Sequence, residues 1–262
     1  MTASARPIDG VPGAPLTGAD APPLRIALVG NPNTGKTTLF NALTGMRQRV
    51  GNFAGVTVER VEGSYRDDAG RRISVLDLPG SYSLSAHSPD EAIALDVLMG
   101  RARDIPVPDV LVVVVDALNI ERNLFLASQL LELGLPTVIA LNQIDAAEAE
   151  GLRIDVVELI NELGVTVIPT VAKSREGVDR LRRAISLAPT LPRPSRRFDV
   201  PAEAKLALAP VERALVDSGL SENAAAMEAL LHLSTPGSDH GPEVDAILVE
   251  ARQILAESGL RP

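Results

Sequence analysis

Cysteine and tryptophan are both absent from the 262 residues, and only two tyrosines and four phenylalanines are present. Without cysteine there can be no disulfide and no thiolate metal site, which fits a reducing compartment. Aromatics make up 2% of the chain against 45% hydrophobic residues in all, so a core has to be built from Val, Ile, Leu and Ala. Long apolar runs are missing too: VLVVVV, Val110 to Val115, is the longest purely aliphatic one and is far too short to cross a bilayer. The N-terminal MTASARPIDGVPGAPLTGADAPP has five prolines and three glycines but no apolar h-region, which predicts a flexible tail over residues 1–23 and no signal peptide. Basic charge is short as well. A net charge of −9 is the wrong sign for a nucleic-acid partner, because such binding draws on Lys and Arg to neutralise phosphates.

Past the tail, short β-rich apolar runs alternate with helical patterns, the signature of a βα-repeating, mostly parallel sheet. Six strands are expected: Leu24–Val29, Val58–Tyr65, Ile73–Asp77, Val110–Asp116, Thr137–Asn142 and Val165–Thr170. Helices are expected over Lys36–Thr44, Pro89–Met99, Arg122–Leu133, Ile154–Leu163 and Val178–Ser186, with Gly134 and Gly164 placed as C-terminal caps. A proline- and arginine-rich stretch, APTLPRPSRR, breaks the pattern and predicts a domain of residues 24–187 and a linker of 188–198. From Asp199 on the pattern is helical only: Pro201–Ser218, Ser221–Leu233 and Pro242–Ser258. This small module holds 11 acidic residues against four basic, a net of −7.

Chemistry concentrates at strand ends. GNPNTGKT, between the first strand and first helix, fits G-x-x-x-x-G-K-[ST] with Gly30, Gly35, Lys36 and Thr37. Glycines there let backbone N–H groups curl around a phosphate, and the helix N-terminus adds positive potential. Asn31, Asn33, Thr34 and Thr38 complete the predicted cradle, Lys36 bridges β- and γ-oxygens, and Thr37 ligates Mg²⁺. DLPG closes a later strand with Asp77, an acid able to hold Mg²⁺ through water, and with Gly80, whose N–H can meet a γ-phosphate. NQID supplies Asn142 and Asp145, whose carboxylate can accept guanine N1–H and N2–H₂, groups that adenine lacks. VAK, Val171 to Lys173, succeeds the last strand and aims the Ala172 N–H at guanine O6. Singly, D-x-x-G is mostly a turn and N-x-x-D mostly a helix cap. In this order, each at a strand end, the set specifies GTP and GDP over adenine nucleotides.

The set resembles a translation-factor-class small GTPase. VGNFAGVTVE (Val50 to Glu59) and DLPGSYSLSAHSPDE (Asp77 to Glu91) are similar to the cytosolic N-terminal region of the ferrous-iron transport B (FeoB) family, in which a G domain precedes a helical domain. The resemblance covers Leu24 to Ile185 by motif and Asp199 to Pro262 only by position and helical character. It implies an α/β P-loop GTPase fold with a mostly parallel six-stranded sheet, then a small all-helical domain of inhibitory or coupling role. It also implies a membrane-embedded transporter portion as partner and a place at the inner face of the bacterial membrane; oligomers stay possible. That membrane portion is not in the sequence, so a piece of a longer protein or one half of a split system is expected. Departures include Phe53 and Ala54 where the family often has tryptophan and proline, and Gln143 where most GTPases carry lysine, from which modest nucleotide affinity is expected.

By the same resemblance Thr57 matches the switch threonine that reaches Mg²⁺ and the γ-phosphate; its residue type also suits the opening of a strand. Ser81 stands where Ras-type enzymes place a water-orienting glutamine and is too short for that role, so hydrolysis should be slow. Neither Arg47 nor Arg49 has an arginine-finger signature. Asn33 matches the asparagine that, in potassium-activated GTPases, ligates K⁺ beside the phosphates together with carbonyls matching Gly51 and Phe53; the alternative is an asparagine bonded to its own loop. Asn33, Lys36, Thr57 and Gly80 are thus the expected catalytic set. His87 reads as a solvated switch residue, and Asp90-Glu91 as the acidic first turn of a helix. With histidine only at 87, 232 and 240, no metal beyond Mg²⁺ and K⁺ is expected. Two other functions compete: a potassium-dependent GTPase of RNA modification or ribosome assembly, which the acidic helical module disfavours, and a nucleotide sensor with negligible hydrolysis.

Overall fold

The computed structural model describes residues 22–46, 48–54, 56–85, 88–102, 104–194, 198–234 and 242–257. Nearly all of the predicted tail, together with Arg47, His87 and His240, lies outside them.

Seven strands form one sheet: β1 (Leu24–Gly30), β2 (Gln48–Asn52), β3 (Glu59–Arg66), β4 (Arg72–Asp77), β5 (Val110–Asp116), β6 (Thr137–Asn142) and β7 (Thr166–Thr170), in the order β2-β3-β4-β1-β5-β6-β7. The pairs β4-β1, β1-β5, β5-β6 and β6-β7 are parallel, while β2-β3 and β3-β4 are antiparallel. The expected six-stranded sheet is therefore corrected to seven. The extra strand, β2, reads QRVGN: all five residues are exposed, so no alternation of apolar side chains marks it. Hydrogen bonding to β3 defines it instead.

Helices α1 (Lys36–Thr44), α2 (Pro89–Met99), α3 (Ile120–Leu131), α4 (Ile144–Ala149), α5 (Val156–Leu163) and α6 (Val178–Leu187) follow the parallel strands, while β2, β3 and β4 succeed one another directly. Their ends show local chemistry. Ser88 accepts the Glu91 amide and Pro89 opens α2, with Asp90 and Glu91 in its first turn. Asp155 accepts the amides of Val157 and Glu158, which is why α5 starts two residues later than expected. Gly164 closes the same helix with φ 64°. At α3 the start moves the other way, to Ile120, because Asp116 caps a 3₁₀ turn over Ala117–Asn119 that runs into it.

β5 shows why the sheet needs helices on both faces. Val110, Val112 and Val114 enter one core with Phe40 and Leu43 of α1 and Leu181 of α6. Leu111, Val113 and Val115 enter another with Val97 of α2 and Leu126 and Leu130 of α3. A fully buried aliphatic strand is the expected product of parallel pairing, and each such side chain contributes about 1.5–3 kcal/mol.

Three further helices, α7 (Ala202–Asp217), α8 (Glu222–Ser234) and α9 (Pro242–Glu257), share a third core of mainly Ala, Leu and Val. α8 serves two cores at helical spacing. Its Ala224 and Met227 pack into the α2–α3 side of the sheet domain, and Ala225 and Ala229 into the helical core. Beside them Arg101, just past α2, pairs with Glu228 of α8, which is also 2.9 Å from His232 Nε2. Arg101 is anchored to its own helix through Asp96 at 2.8 Å.

The Glu228 side chain is only 2% exposed. Arg101→Ala removes one partner from a buried carboxylate that keeps His232, and is expected to lower unfolding free energy by about 1–3 kcal/mol. Urea denaturation measures this, with the exposed Arg183–Asp68 pair as comparison: Arg183→Ala should cost less than about 1 kcal/mol.

Candidate functional site

The C-terminal ends of the parallel strands converge on the segment between β1 and α1. There the chain turns through left-handed conformations at Asn33 (φ 67°) and Gly35 (φ 80°) before α1 begins at Lys36. A helix start leaves its first N–H groups without intrahelical acceptors, so Lys36, Thr37 and Thr38 present amides toward this bend. Thr34 closes the turn from inside, its hydroxyl donating to the Asn31 carbonyl at 3.0 Å. Asn31 is buried, and its side-chain Nδ2 has no hydrogen-bond partner among the described residues. The bend thus offers donors and a lysine, the complement of a multiply charged anion.

Asp77, at the end of β4, meets this segment directly: Lys36 Nζ lies 2.6 Å from its Oδ1. Burial raises the Asp77 pKa above the usual carboxylate range, and the Lys36 charge and hydrogen bond pull against that rise. The backbone after Asp77 is stitched to β1, with Leu78 N donating to Leu28 O at 3.1 Å and Ser81 N to Gly30 O at 3.3 Å. Gly80 packs so closely on Pro32 that a Cβ would sit 3.1 Å from the Pro32 nitrogen. Ser81 is buried, its hydroxyl donating to the Ser83 carbonyl and lying 3.5 Å from Glu91 Oε1.

Asn142, at the end of β6, joins three segments. Its Nδ2 donates to Thr34 O at 2.8 Å, while its Oδ1 accepts from Ala172 N at 3.0 Å and Thr170 Oγ1 at 3.3 Å. The Ala172 amide, which its motif aims at a guanine oxygen, is thus engaged by Asn142 here. Val171 is buried and bonded to Glu176 O at 3.0 Å, and Lys173 is exposed. Gln143 takes a left-handed φ of 61° so that α4 can start, leaving Asp145 exposed in its first turn. That helix and the Asn142 network are not legible in the sequence; the positive φ at Gln143 has no local signal.

Thr57, Gly51 and Phe53 lie on or beside the β2–β3 hairpin. Thr57 is exposed within the tip that joins β2 to β3. Gly51 lies in β2 opposite Arg60, and the Phe53 carbonyl accepts the Val56 amide at 3.3 Å. The Asn33 side chain makes no hydrogen bond to any described residue, so bonding to its own loop is not what holds it. Thr37, Asp77 and Thr57 carry hard oxygen donors of the kind that suits Mg²⁺; Thr37 follows Lys36 in the chain, and Asp77 is bonded to Lys36.

Two glycines separate the effects of conformation and space. A Cβ on Gly35 would sit 2.4 Å from Asn142 Nδ2, whereas Gly45, with φ 66°, has nothing within 4 Å. Gly45→Ala should cost about 1 kcal/mol for the left-handed backbone alone. Gly35→Ala should cost clearly more, because Asn142 has to move. Thermal denaturation of the two variants checks the order.

The comparisons with known proteins agree with this geometry. Residues 24–185 match the FeoB_N family, Ferrous iron transport protein B. The Fe(2+) transporter FeoB of Salmonella typhimurium is 52% identical over 167 residues, 62% of this chain but 21% of the relative. The chain therefore spans about a fifth of the length of the curated relatives it matches. Among solved structures, the cytosolic domain of L. pneumophila FeoB shares 36% identity at a TM-score of 0.72, covering 89% of this chain and 98% of that one. A mutant of S. thermophilus NFeoB, crystallised bound to GDP, shares 34% identity at the same TM-score of 0.72, over 90% of this chain and 91% of that one. Carrying the phosphate-loop segment, the Asp77 strand end and the Asn142 junction in one sheet, this chain belongs to the FeoB family of ferrous iron transport proteins, as its N-terminal G domain.

Proposed function

We propose that this chain binds guanine nucleotides and slowly hydrolyses GTP as the regulatory part of a ferrous-iron membrane transporter, and that potassium accelerates the hydrolysis. The observation that carries the reading is the Asn142 carboxamide bridging Thr34 of the phosphate loop and Ala172 beyond β7. It draws the two predicted base-recognition stretches and the phosphate loop into one site, with Lys36 and Asp77 beside it.

In this reading the phosphates lie along the amides at the α1 start, and Lys36 exchanges the Asp77 carboxylate for β- and γ-oxygens. Asp77, freed, would join Thr37 and Thr57 as the residues holding Mg²⁺, an ion that would supply charge neutralisation for the triphosphate. Thr57 has to travel from the exposed β2–β3 tip to do so, which is the behaviour of a switch that orders around a γ-phosphate. Gly80 offers its N–H to that phosphate. Water oxygen attacks the γ-phosphorus, the bond to the β–γ bridging oxygen breaks, and GDP leaves with that electron pair. Ser81 is engaged by Ser83 and cannot orient the water, which supports slow turnover.

Asn33 is exposed and unbonded, and in this reading its side-chain oxygen holds the cation beside the phosphates. Gly51 and Phe53 carbonyls complete that site once the hairpin rearranges, since Phe53 O is engaged by Val56. Helices α7–α9 relay nucleotide state through α8. Among the described residues no helix is long and apolar enough to cross a membrane; in this reading the G domain works at the cytoplasmic face of the transporter's membrane portion.

Labelled GDP and ADP titrations test the base assignment. GDP should bind far more tightly, Asp145→Asn should shift preference toward xanthine nucleotides, and equal GDP and ADP affinities would overturn the reading.

Single-turnover GTP hydrolysis at fixed ionic strength tests the ion. Removing a transition-state charge partner typically costs about 10²–10³ in rate, and part of that should appear when Na⁺ replaces K⁺. Asn33→Ala should abolish the difference while sparing GDP affinity. Thr57→Ala should likewise impair hydrolysis and leave GDP binding intact.

A further inference from the structure

The two faces of the sheet are not covered alike at its β2 edge. On one face α1 and Phe40 lie over Tyr65, Ile73 and Val75. On the other the core ends at Ala27 and Leu76, and beyond them the strand register lines up Arg25 with Ser74, Ser74 with Ser64, and Arg49 with Glu62. This uncovered face holds a cavity of about 450 Å³, walled on one side by Ile105, Pro106 and Pro108 and floored by Ser64 and Ser74. Each of four neighbouring strands sends one arginine into its lining: Arg25 from β1, Arg49 from β2, Arg60 from β3 and Arg72 from β4.

An exposed sheet edge in a chain of net charge −9 would ordinarily mix its signs. Among the described residues Glu62 is the one acid in the lining. It pairs with Arg60, and Arg25 is held by Asp109 outside the cavity at 2.9 Å. Arg49 and Arg72 have no ion-pair partner among the described residues. Two compensated and two uncompensated guanidiniums, with serine hydroxyls between them, match phosphate oxygens, since the planar fork binds them two at a time. The volume lies in the range that encloses a small ligand rather than a flat surface.

We propose that this cavity binds a small, soluble, phosphorylated molecule, its phosphates on Arg49 and Arg72 and its organic part against Pro106 and Pro108. The site is separate from the Lys36 loop. Because Arg49 and Arg60 lie on the two strands that carry the tip with Thr57, a ligand there braces that tip from behind.

The test charges the full chain with one equivalent of GDP and titrates in inorganic pyrophosphate at constant ionic strength, followed by ¹H–¹⁵N spectra. Shifts at the Lys36 loop on adding GDP report the guanine-nucleotide reading independently of the second step. Pyrophosphate should then produce saturable shifts at Arg49, Ser64 and Ser74 amides. The double variant Arg49→Ala/Arg72→Ala should weaken them about tenfold or more with GDP affinity unchanged. Both arginines are exposed, and the dispersion of the same spectra reports that the variant folds. Shifts confined to the Lys36 loop, no saturation, or equal binding by the variant would overturn the proposal. So would association with phosphatidylglycerol vesicles, lost in the double variant, without any response to pyrophosphate.

Discussion

Everything at the candidate site hangs on one buried carboxamide. Asn142 donates to Thr34 and accepts from Thr170 and Ala172, so a single planar group fixes the distance between the phosphate loop and the last strand. Buried polar groups are costly unless bonded, and a group using donors and acceptors at once resists being moved. Gly35 completes the constraint from the other side, with room for nothing larger than hydrogen against Asn142. Held in this way at Thr34 and Gly35, the amides at the α1 start keep one arrangement, which is the preorganisation that phosphate chemistry needs.

The sheet supplies the frame for that junction. Alternate residues of β5 enter separate cores on its two faces, so no strand end can shift without disturbing packing on both. The cores are aliphatic and close-packed because the chain has almost no aromatics to place in them. Toward β2 this double cover lapses on one face. Serine and arginine replace the aliphatics there, and the same edge carries the exposed tip with Thr57. The exposure of the tip and the open cavity at that edge share one cause, the lack of a helix to pack against.

The helical module is tied to the frame by a different device. α8 divides its small side chains between two cores, and the buried Arg101–Glu228 pair fixes its rotation about its own axis. Arg101 lies just past the end of α2, and α2 comes after the segment beginning at Asp77. That segment and α8 are therefore joined twice, by this guanidinium and by the packing of Ala224 and Met227 against α2 and α3.

Period and punctuation in the sequence determined most of the elements: the buried strands from their aliphatic runs, α1, α2 and α6 from apolar spacing and caps, and the site stretches from their place at strand ends. These are local properties, set by backbone preference and by which residues avoid water. β2 was illegible because its five residues are all exposed and its identity comes only from pairing with β3. α4 was hidden behind a left-handed Gln143. The partners of Asn142, the Lys36–Asp77 ion pair and the four-arginine cavity all join residues far apart in the chain, 108 positions in the case of Asn142 and Thr34. No local pattern encodes such distances. They were decided only when the strands took their order in the sheet, because that order brings separate strand ends, and separate arginines, to the same place.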